Sequence, residues 1–214
     1  PQANATSGLG IEVDAVEKGS YQVLEHTITA KEAIVATNSP NLNLIPAHID
    51  LVAIEIELVD KTHREMMLRK ALDPIKDDYD YIFIDCAPSL GLITLNALTA
   101  AHSVIIPIQC EYFALEGLGK LLNTIKSIQK IHNAGLGIEG MLLTMYDSRL
   151  RLSNQVVDEV KKHFGNMVFS TIIQRNVKLG EAPSFGETII DYDATCKGAS
   201  SYLKLAQELI NKKK

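Results

Sequence analysis

The residues best suited to chemistry lie in one short stretch, Tyr81-Ile82-Phe83-Ile84-Asp85, followed by Cys86-Ala87-Pro88-Ser89. Four apolar residues lead into a carboxylate and then a turn. An apolar strand offers that carboxylate no internal partner, so Asp85 must face water or a cation. Beside nucleotide phosphates the common occupant is a hydrated magnesium ion, held by one or two carboxylates. That is the Walker B arrangement. The same residue could instead cap the helix that follows. The histidines offer less: His26, His48, His63, His102, His132 and His163 occur singly, without H-x-x-x-H or Cys/His ligand spacing. They read as surface or edge residues. Ser89 sits after Pro88 in a turn, and no G-x-S-x-G surrounds it, so it is not a nucleophile elbow.

Asp85 can act only if a scaffold holds it, and the sequence predicts an alternating one. Strands are expected at Asn41–Pro46, Tyr79–Asp85, Ser103–Ile108, Gly140–Met145 and about Met167–Ile173. Helices are expected at Thr62–Ile75, Leu92–Ala101, Leu115–His132, about Asn154–Phe164 and about Lys197–Ile210. In the last, Ala199, Tyr202, Leu203, Ala206, Leu209 and Ile210 form an apolar stripe. The run Ser103–Ile108 (SVIIPI) is continuous enough to be buried on both faces. Such alternation implies an α/β domain, a mostly parallel sheet with helices on both faces. Ligands of such sheets bind beyond the carboxyl ends of the strands. The loops there are Asp85 and its turn, Pro107–Glu111, Thr144–Arg151 and Gln174–Pro183, all rich in polar or special residues. No repeat or linker interrupts residues 1–214, which read as one domain.

The bulk properties narrow the class. The 214 residues are 46% apolar and 22% charged, ordinary globular composition. Cys86, Cys110 and Cys196 are odd in number and form no CxxC pair, as expected of reduced cytosolic thiols. No apolar run approaches the roughly 20 residues of a membrane span, and the first ten residues lack the features of a signal peptide. The net charge of −5 is unevenly spread: −8 over residues 1–140 and +3 over residues 141–214. A basic last third fits either a polyanion-facing surface or scattered solvated charges. The Lys212–Lys214 tail reads as an exposed charged end. Pro1 is not Met, and Pro1–Gly10 (PQANATSGLG) is small and polar, as a loop after a strand would be.

Several collinear stretches resemble the ParA/Soj family of chromosome-partitioning ATPases. They are Pro1–Gly10, Asp85–Leu98 (DCAPSLGLITLNAL), Pro107–Leu122, Leu143–Gly165, Arg175–Asp193 (RNVKLGEAPSFGETIIDYD) and Gly198–Leu209. The resemblance spans the chain and implies a P-loop NTPase-like fold using ATP and Mg. In this family the PQxNATSGLG loop follows an acidic D-x-D at a strand end, itself preceded by the phosphate loop KGGVGKTT. The resemblance thus implies that residues 1–214 lack the N-terminal βαβ portion. No G-x-x-x-x-G-K-[ST] occurs in them. They are therefore expected neither to bind Mg-ATP tightly nor to hydrolyse it alone, and micromolar binding by titration calorimetry would contradict this.

Residue roles carried over from the family are these. Asp85 is the magnesium-side and catalytic acid. Gln174, Arg175 and Asn176 stand where relatives usually read Pro-Arg-Asn against the adenine, with Gln174 departing from the proline; Asn176 could also be a plain turn former. Asn4 and Thr6 would line the γ-phosphate side, or simply form a turn. Arg149, Arg151, Arg175, Lys178 and Lys197 are the candidates for non-specific DNA binding, where Lys can serve a phosphate without the bidentate fork of Arg. The family also implies an ATP-sandwiched homodimer, a ParB-like centromere-binding partner, no membrane, and a cytoplasmic, nucleoid-associated protein. Two alternatives stay open: a MinD-like membrane-associated cell-division ATPase, and a non-catalytic scaffold fragment.

Overall fold

The computed structural model describes residues 1–87, 89, 91–112 and 114–212, with residues 114–116 described without their side chains. The turn expected at Pro88 and the charged end at Lys213–Lys214 lie outside the described residues. The chain forms two compact units. The first comprises Pro1–His102, Ser127–Leu136 and Pro183–Thr188; the second comprises Ser103–Lys126, Gly137–Ala182 and Ile189–Lys214.

The first unit is built from short helices: α1 (Asn4–Gly8), α2 (Ser20–Glu25) and α3 (Ala30–Ala33). A two-residue antiparallel ladder follows, β1 (Val35–Ala36) on β2 (Asn43–Leu44), and then α4 (Ile54–Glu57), α5 (Met67–Leu72) and α6 (Leu92–Ala100). Local chemistry explains several ends. Thr29 and Glu32 cap α3 reciprocally: the Glu32 N–H donates to Thr29 Oγ1 (3.3 Å) and the Thr29 N–H to Glu32 Oε2 (2.8 Å). Among the described residues, two small apolar clusters pack within the unit. One joins Val23, Ala30, Ala33 and Ile75, and the other joins Leu24, Leu51, Ile54 and Leu58. Asn96 of α6 is fully buried; its Nδ2 donates to the carbonyls of Arg64 (2.8 Å) and Leu92 (3.0 Å). Its Oδ1 accepts from the Leu68 N–H of α5 (3.1 Å). A buried amide with every group used fixes one helix against another.

Three expectations are corrected here. Tyr79–Asp85 is not a strand: no ladder bond reaches it among the described residues, and Tyr81, Ile82 and Phe83 are exposed. β-forming composition makes pairing possible, but a strand exists only where a neighbour takes its N–H and C=O groups. The helix expected over Thr62–Ile75 is shortened, because His63 takes a left-handed φ of 56°; a 3-10 turn over Arg64–Met66 leads into α5. The opening segment, read as a loop, contains α1, entered through left-handed Ala3.

The second unit centres on two parallel strands, β3 (Ser103–Gln109) and β4 (Gly137–Thr144), with Ile106 opposite Met141 and Ile108 opposite Leu143. The helices of its sequence are α7 (Ala114–Ile131, whose last turn belongs to the first unit), α8 (Arg151–Phe164), α9 (Val177–Glu181), α10 (Ile189–Asp193) and α11 (Lys197–Lys212). Alternation along β4 sends Leu142 to one face and Met141 and Leu143 to the other. On the Leu142 face, Phe169, Ile173 and Leu205 form a cluster that Ile105, Leu179 and Leu209 extend. β3 is less enclosed than expected: Ile106 and Ile108 are buried, but Pro107 and Gln109 are exposed.

Residues 168–174 run beside β4 as expected for the strand near Met167–Ile173, yet form only isolated parallel bridges, Met141 to Val168 and Tyr146 to Gln174. The N–H groups of Phe169 and Ile173 reach Met141 and Leu143 carbonyls (both 2.9 Å). Between them, the N–H groups of Ser170 and Thr171 turn instead to the Glu208 carboxylate of α11 (2.7 and 2.9 Å). That diversion breaks the ladder. The buried face of α11 also differs from the expected stripe: Gly198, Ala199 and Leu205 are buried, while Tyr202, Leu203, Ala206 and Ile210 are exposed.

Candidate functional site

Asp85, Asn4 and Thr6 belong to the first unit; Arg149, Arg151, Gln174, Arg175, Asn176, Lys178 and Lys197 belong to the second. Asp85 is exposed, and makes no hydrogen bond or ion pair among the described residues. Ala87, two residues on, is tied to α6: Thr94 Oγ1 donates to its carbonyl (3.4 Å). The cap of α6 comes from elsewhere. Gly91 at the N-cap has no side chain to offer, and the Glu55 carboxylate of α4 accepts from the N–H groups of Leu92 (2.6 Å) and Ile93 (3.1 Å). Glu55, Ala87 and Ser89 line a cavity of about 260 Å³ together with Pro1, Gln2 and Ile93.

Asn4 is exposed on α1. Thr6 is buried, and its hydroxyl is committed to one backbone: it donates to the Ala47 carbonyl (3.2 Å) and accepts from the Ala47 N–H (2.9 Å). Downstream, Gly10 and Gly186 cross so closely that a Cβ on Gly10 would lie 2.9 Å from the Gly186 carbonyl oxygen. Both have positive φ, 76° and 67°. Only glycine serves such a crossing cheaply.

In the second unit, Gln174 and Arg175 are exposed beyond the end of β4, held by Arg175 N–H to the Tyr146 carbonyl (2.9 Å). Asn176 is the N-cap of α9; its Oδ1 accepts from the Lys178 N–H (2.9 Å). The basic residues divide by partner. Arg149 grips Asp147 through Nε (2.9 Å) and Nη2 (2.6 Å), Arg175 Nη2 meets Glu111 (2.6 Å), and Lys178 meets Asp193. Arg151 and Lys197 are exposed and carry no ion pair among the described residues.

These pairings titrate. The Lys178 ammonium, helped by the Thr195 hydroxyl and N–H, holds the Asp193 carboxyl down at about 2, from an ordinary 3.8. The Arg149 guanidinium does the same to Asp147, also to about 2. A lowered native pKa favours the fold above the unfolded value and ceases to as pH falls through the native one. Each carboxylate is therefore expected to support stability above about pH 4 and lose that role towards pH 2. Carbon-detected NMR titration should find the Asp193 midpoint near 2, returning towards the ordinary range at Asp147 alone in Arg149→Ala. An Asp193 midpoint close to 4 in the parent would contradict the pairing. Burial works the other way on Cys110, pushing its thiol up to about 11; it is no nucleophile. The three cysteines are free thiols.

The carboxylates Glu55, Glu111, Asp147 and Asp193 escaped notice in the sequence. Two had local signals: a glycine N-cap requires an acceptor from elsewhere, and Asp147-Ser148-Arg149 places opposite charges two residues apart around a turn.

Known proteins frame these observations. A family model described as an AAA domain matches residues 1–138. The sporulation initiation inhibitor protein Soj of Bacillus subtilis is 55% identical over 98% of this chain and 83% of its own length. The chromosome partitioning protein ParA of Myxococcus xanthus is 50% identical, over 99% of this chain and 75% of its own. Among solved structures, a cobyrinic acid a,c-diamide synthase from Mycobacterium smegmatis with bound ADP and magnesium superposes with a TM-score of 0.84 at 36% identity. It covers 98% of this chain and 78% of that one. The parallel α/β class expected from the alternation holds.

Proposed function

We propose that this chain, which belongs to the ParA/Soj family of chromosome-partitioning ATPases, serves magnesium-dependent ATP hydrolysis in the full gene product and couples the nucleotide to DNA segregation. The observation that carries the reading is the 55% identity with Soj over 98% of the chain. Asp85 fits a magnesium anchor, since its carboxylate is exposed and uncommitted among the described residues. No group of three His, Cys, Asp or Glu side chains poised for a metal occurs among them. A single carboxylate suits an ion that keeps most of its water. The bound ion would supply charge neutralisation at the phosphates.

The other residues take supporting roles. Asn176 spends its Oδ1 on the α9 cap, leaving the amide Nδ2 for an adenine edge. Gln174 keeps an exposed place beside it. Asn4 presents an amide on α1, and Thr6 fixes that helix through Ala47. The chain is further read as forming an ATP-dependent homodimer in the cytoplasm, at the nucleoid, with a ParB-like partner stimulating hydrolysis. The MinD-like alternative is not favoured: the relatives are named Soj and ParA, and Leu205 and Leu209 of α11 are used in the cluster on the sheet. No helix of the described residues is long and apolar enough to cross a membrane. The test is ATP turnover by the full gene product with non-specific DNA and its ParB-type partner. Magnesium-dependent, partner-stimulated hydrolysis is expected, and its absence with both present would end the reading.

Among the candidate DNA contacts, Arg151 and Lys197 offer charge that no neighbouring carboxylate cancels, unlike Arg149, Arg175 and Lys178. Arg151→Ala and Lys197→Ala are each expected to weaken binding to random-sequence duplex uniformly. Each should reduce the slope of log K against log salt by about 1. Arg149→Ala should change the slope by less than half as much. Fluorescence anisotropy across a salt series checks both, and equal slopes for all three would show that the pairing does not matter.

A further inference from the structure

Among the described residues the segment bearing Asp85 has no ladder to hold it, so other contacts must fix where the carboxylate points. Tyr79 holds its near end, through Asn43 Nδ2 (3.2 Å) and an apolar cluster, and the end nearer Asp85 is tied to α6. α6 has no cap of its own, because Gly91 lacks a side chain. Its first two N–H groups, Leu92 and Ile93, both go to the Glu55 carboxylate, 37 and 38 residues away in sequence. Glu55 is itself held. Its neighbour Ile54, and Leu58 just past the end of α4, are both 0% exposed. Leu92 and Ile93 pack against the cluster those two belong to. A Cβ on Gly91 would stand 2.7 Å from Glu55 Cδ and overlap the carboxylate, which would have to move aside. Ala87, two residues beyond Asp85, is tied in turn to Thr94 of the same helix (3.4 Å).

We infer that Glu55 is a positioning residue for Asp85: it pins the N-terminus of α6 and, through the hydrogen bond from Thr94 to Ala87, sets where the magnesium-side carboxylate stands. The inference rests on the reading of Asp85 given above. A negative carboxylate at a helix N-terminus also complements the partial positive charge there, so the anchor is electrostatic as well as geometric. Glu55 touches no reacting atom in this scheme. Its loss should spoil the magnesium requirement of hydrolysis while leaving nucleotide affinity at saturating magnesium largely intact.

The experiment uses the full gene product and compares Glu55→Ala, Glu55→Gln, Gly91→Ala and Asp85→Asn. Glu55→Ala is expected to raise the magnesium concentration for half-maximal ATP turnover about tenfold, with the KM for ATP at saturating magnesium changing less than about twofold. Glu55→Gln keeps one acceptor oxygen and should recover part of the loss. Gly91→Ala should reproduce the defect by displacing the carboxylate, and combining it with Glu55→Ala should add nothing further. A readout independent of turnover is hydrogen exchange at Leu92 and Ile93, expected to quicken at least tenfold in Glu55→Ala. If Glu55→Ala does not fold, Glu55→Gln and Gly91→Ala carry the test. Released amides with an unchanged magnesium requirement would overturn the inference while Asp85→Asn still shifts it. If Asp85→Asn leaves the magnesium requirement unmoved, the reading of Asp85 fails, and the inference with it.

Discussion

Asp85→Ala in the full gene product is expected to lower kcat for ATP hydrolysis by roughly 100-fold or more, the scale seen when one group stabilising transition-state charge is removed. The physical case rests on what Asp85 does not do. Its side chain is exposed and bonded to nothing among the described residues, so removing it takes away no packing and orphans no partner. The change in folding stability should stay within about 0.5 kcal/mol, as for other surface positions without contacts. Lost turnover would then be lost chemistry and not lost structure. Asp85→Asn separates charge from shape: it preserves volume but removes the anion a magnesium ion needs, and is expected to fall nearly as far. Turnover assays at saturating ATP, with melting curves on the same samples, check the pair. A kcat within threefold of the parent in both variants would remove Asp85 from the mechanism.

Phe169→Ala should cost about 3–5 kcal/mol of stability, as removal of a buried aromatic ring generally does. For a chain of this size that corresponds to roughly 10 °C in melting temperature. Phe169 is 1% exposed and sits among Leu142, Ile173 and Leu205. Its backbone N–H is bonded to Met141 of β4 (2.9 Å), so the ring cannot follow a collapse of the cluster far. Gly140 makes the slot it fills: a Cβ there would come within 2.6 Å of ring Cε2. Lys212 Nζ lies 4.1 Å from the ring centroid on α11, a contact worth about 0.5–1 kcal/mol at an exposed site. Gly140→Ala is therefore expected to destabilise as well, by overpacking of about 1–3 kcal/mol. Val177→Ala, at a side chain 75% exposed, should move the midpoint by less than about 0.5 kcal/mol. Calorimetry and urea midpoints decide, and a Phe169→Ala midpoint as high as that of Val177→Ala would refute the packing account.

The patterns that repeat along the chain without reference to distant residues were legible in the sequence. The helical runs that became α6, α7, α8 and α11 could be read, as could the apolar runs that became β3 and β4.

What only the folded chain decided was pairing, which depends on neighbours no local window contains. Tyr81-Ile82-Phe83-Ile84 has every propensity for a strand, yet its backbone finds no ladder among the described residues. The segment near Phe169 lost its ladder because Glu208, almost forty residues later, captured two of its N–H groups. Charge followed the same rule. Five basic residues looked equivalent in sequence, and three of them proved to be matched by Asp147, Glu111 and Asp193. A carboxylate or an amide acts on whatever the fold brings within about 3 Å, and that distance is set in space and not along the chain.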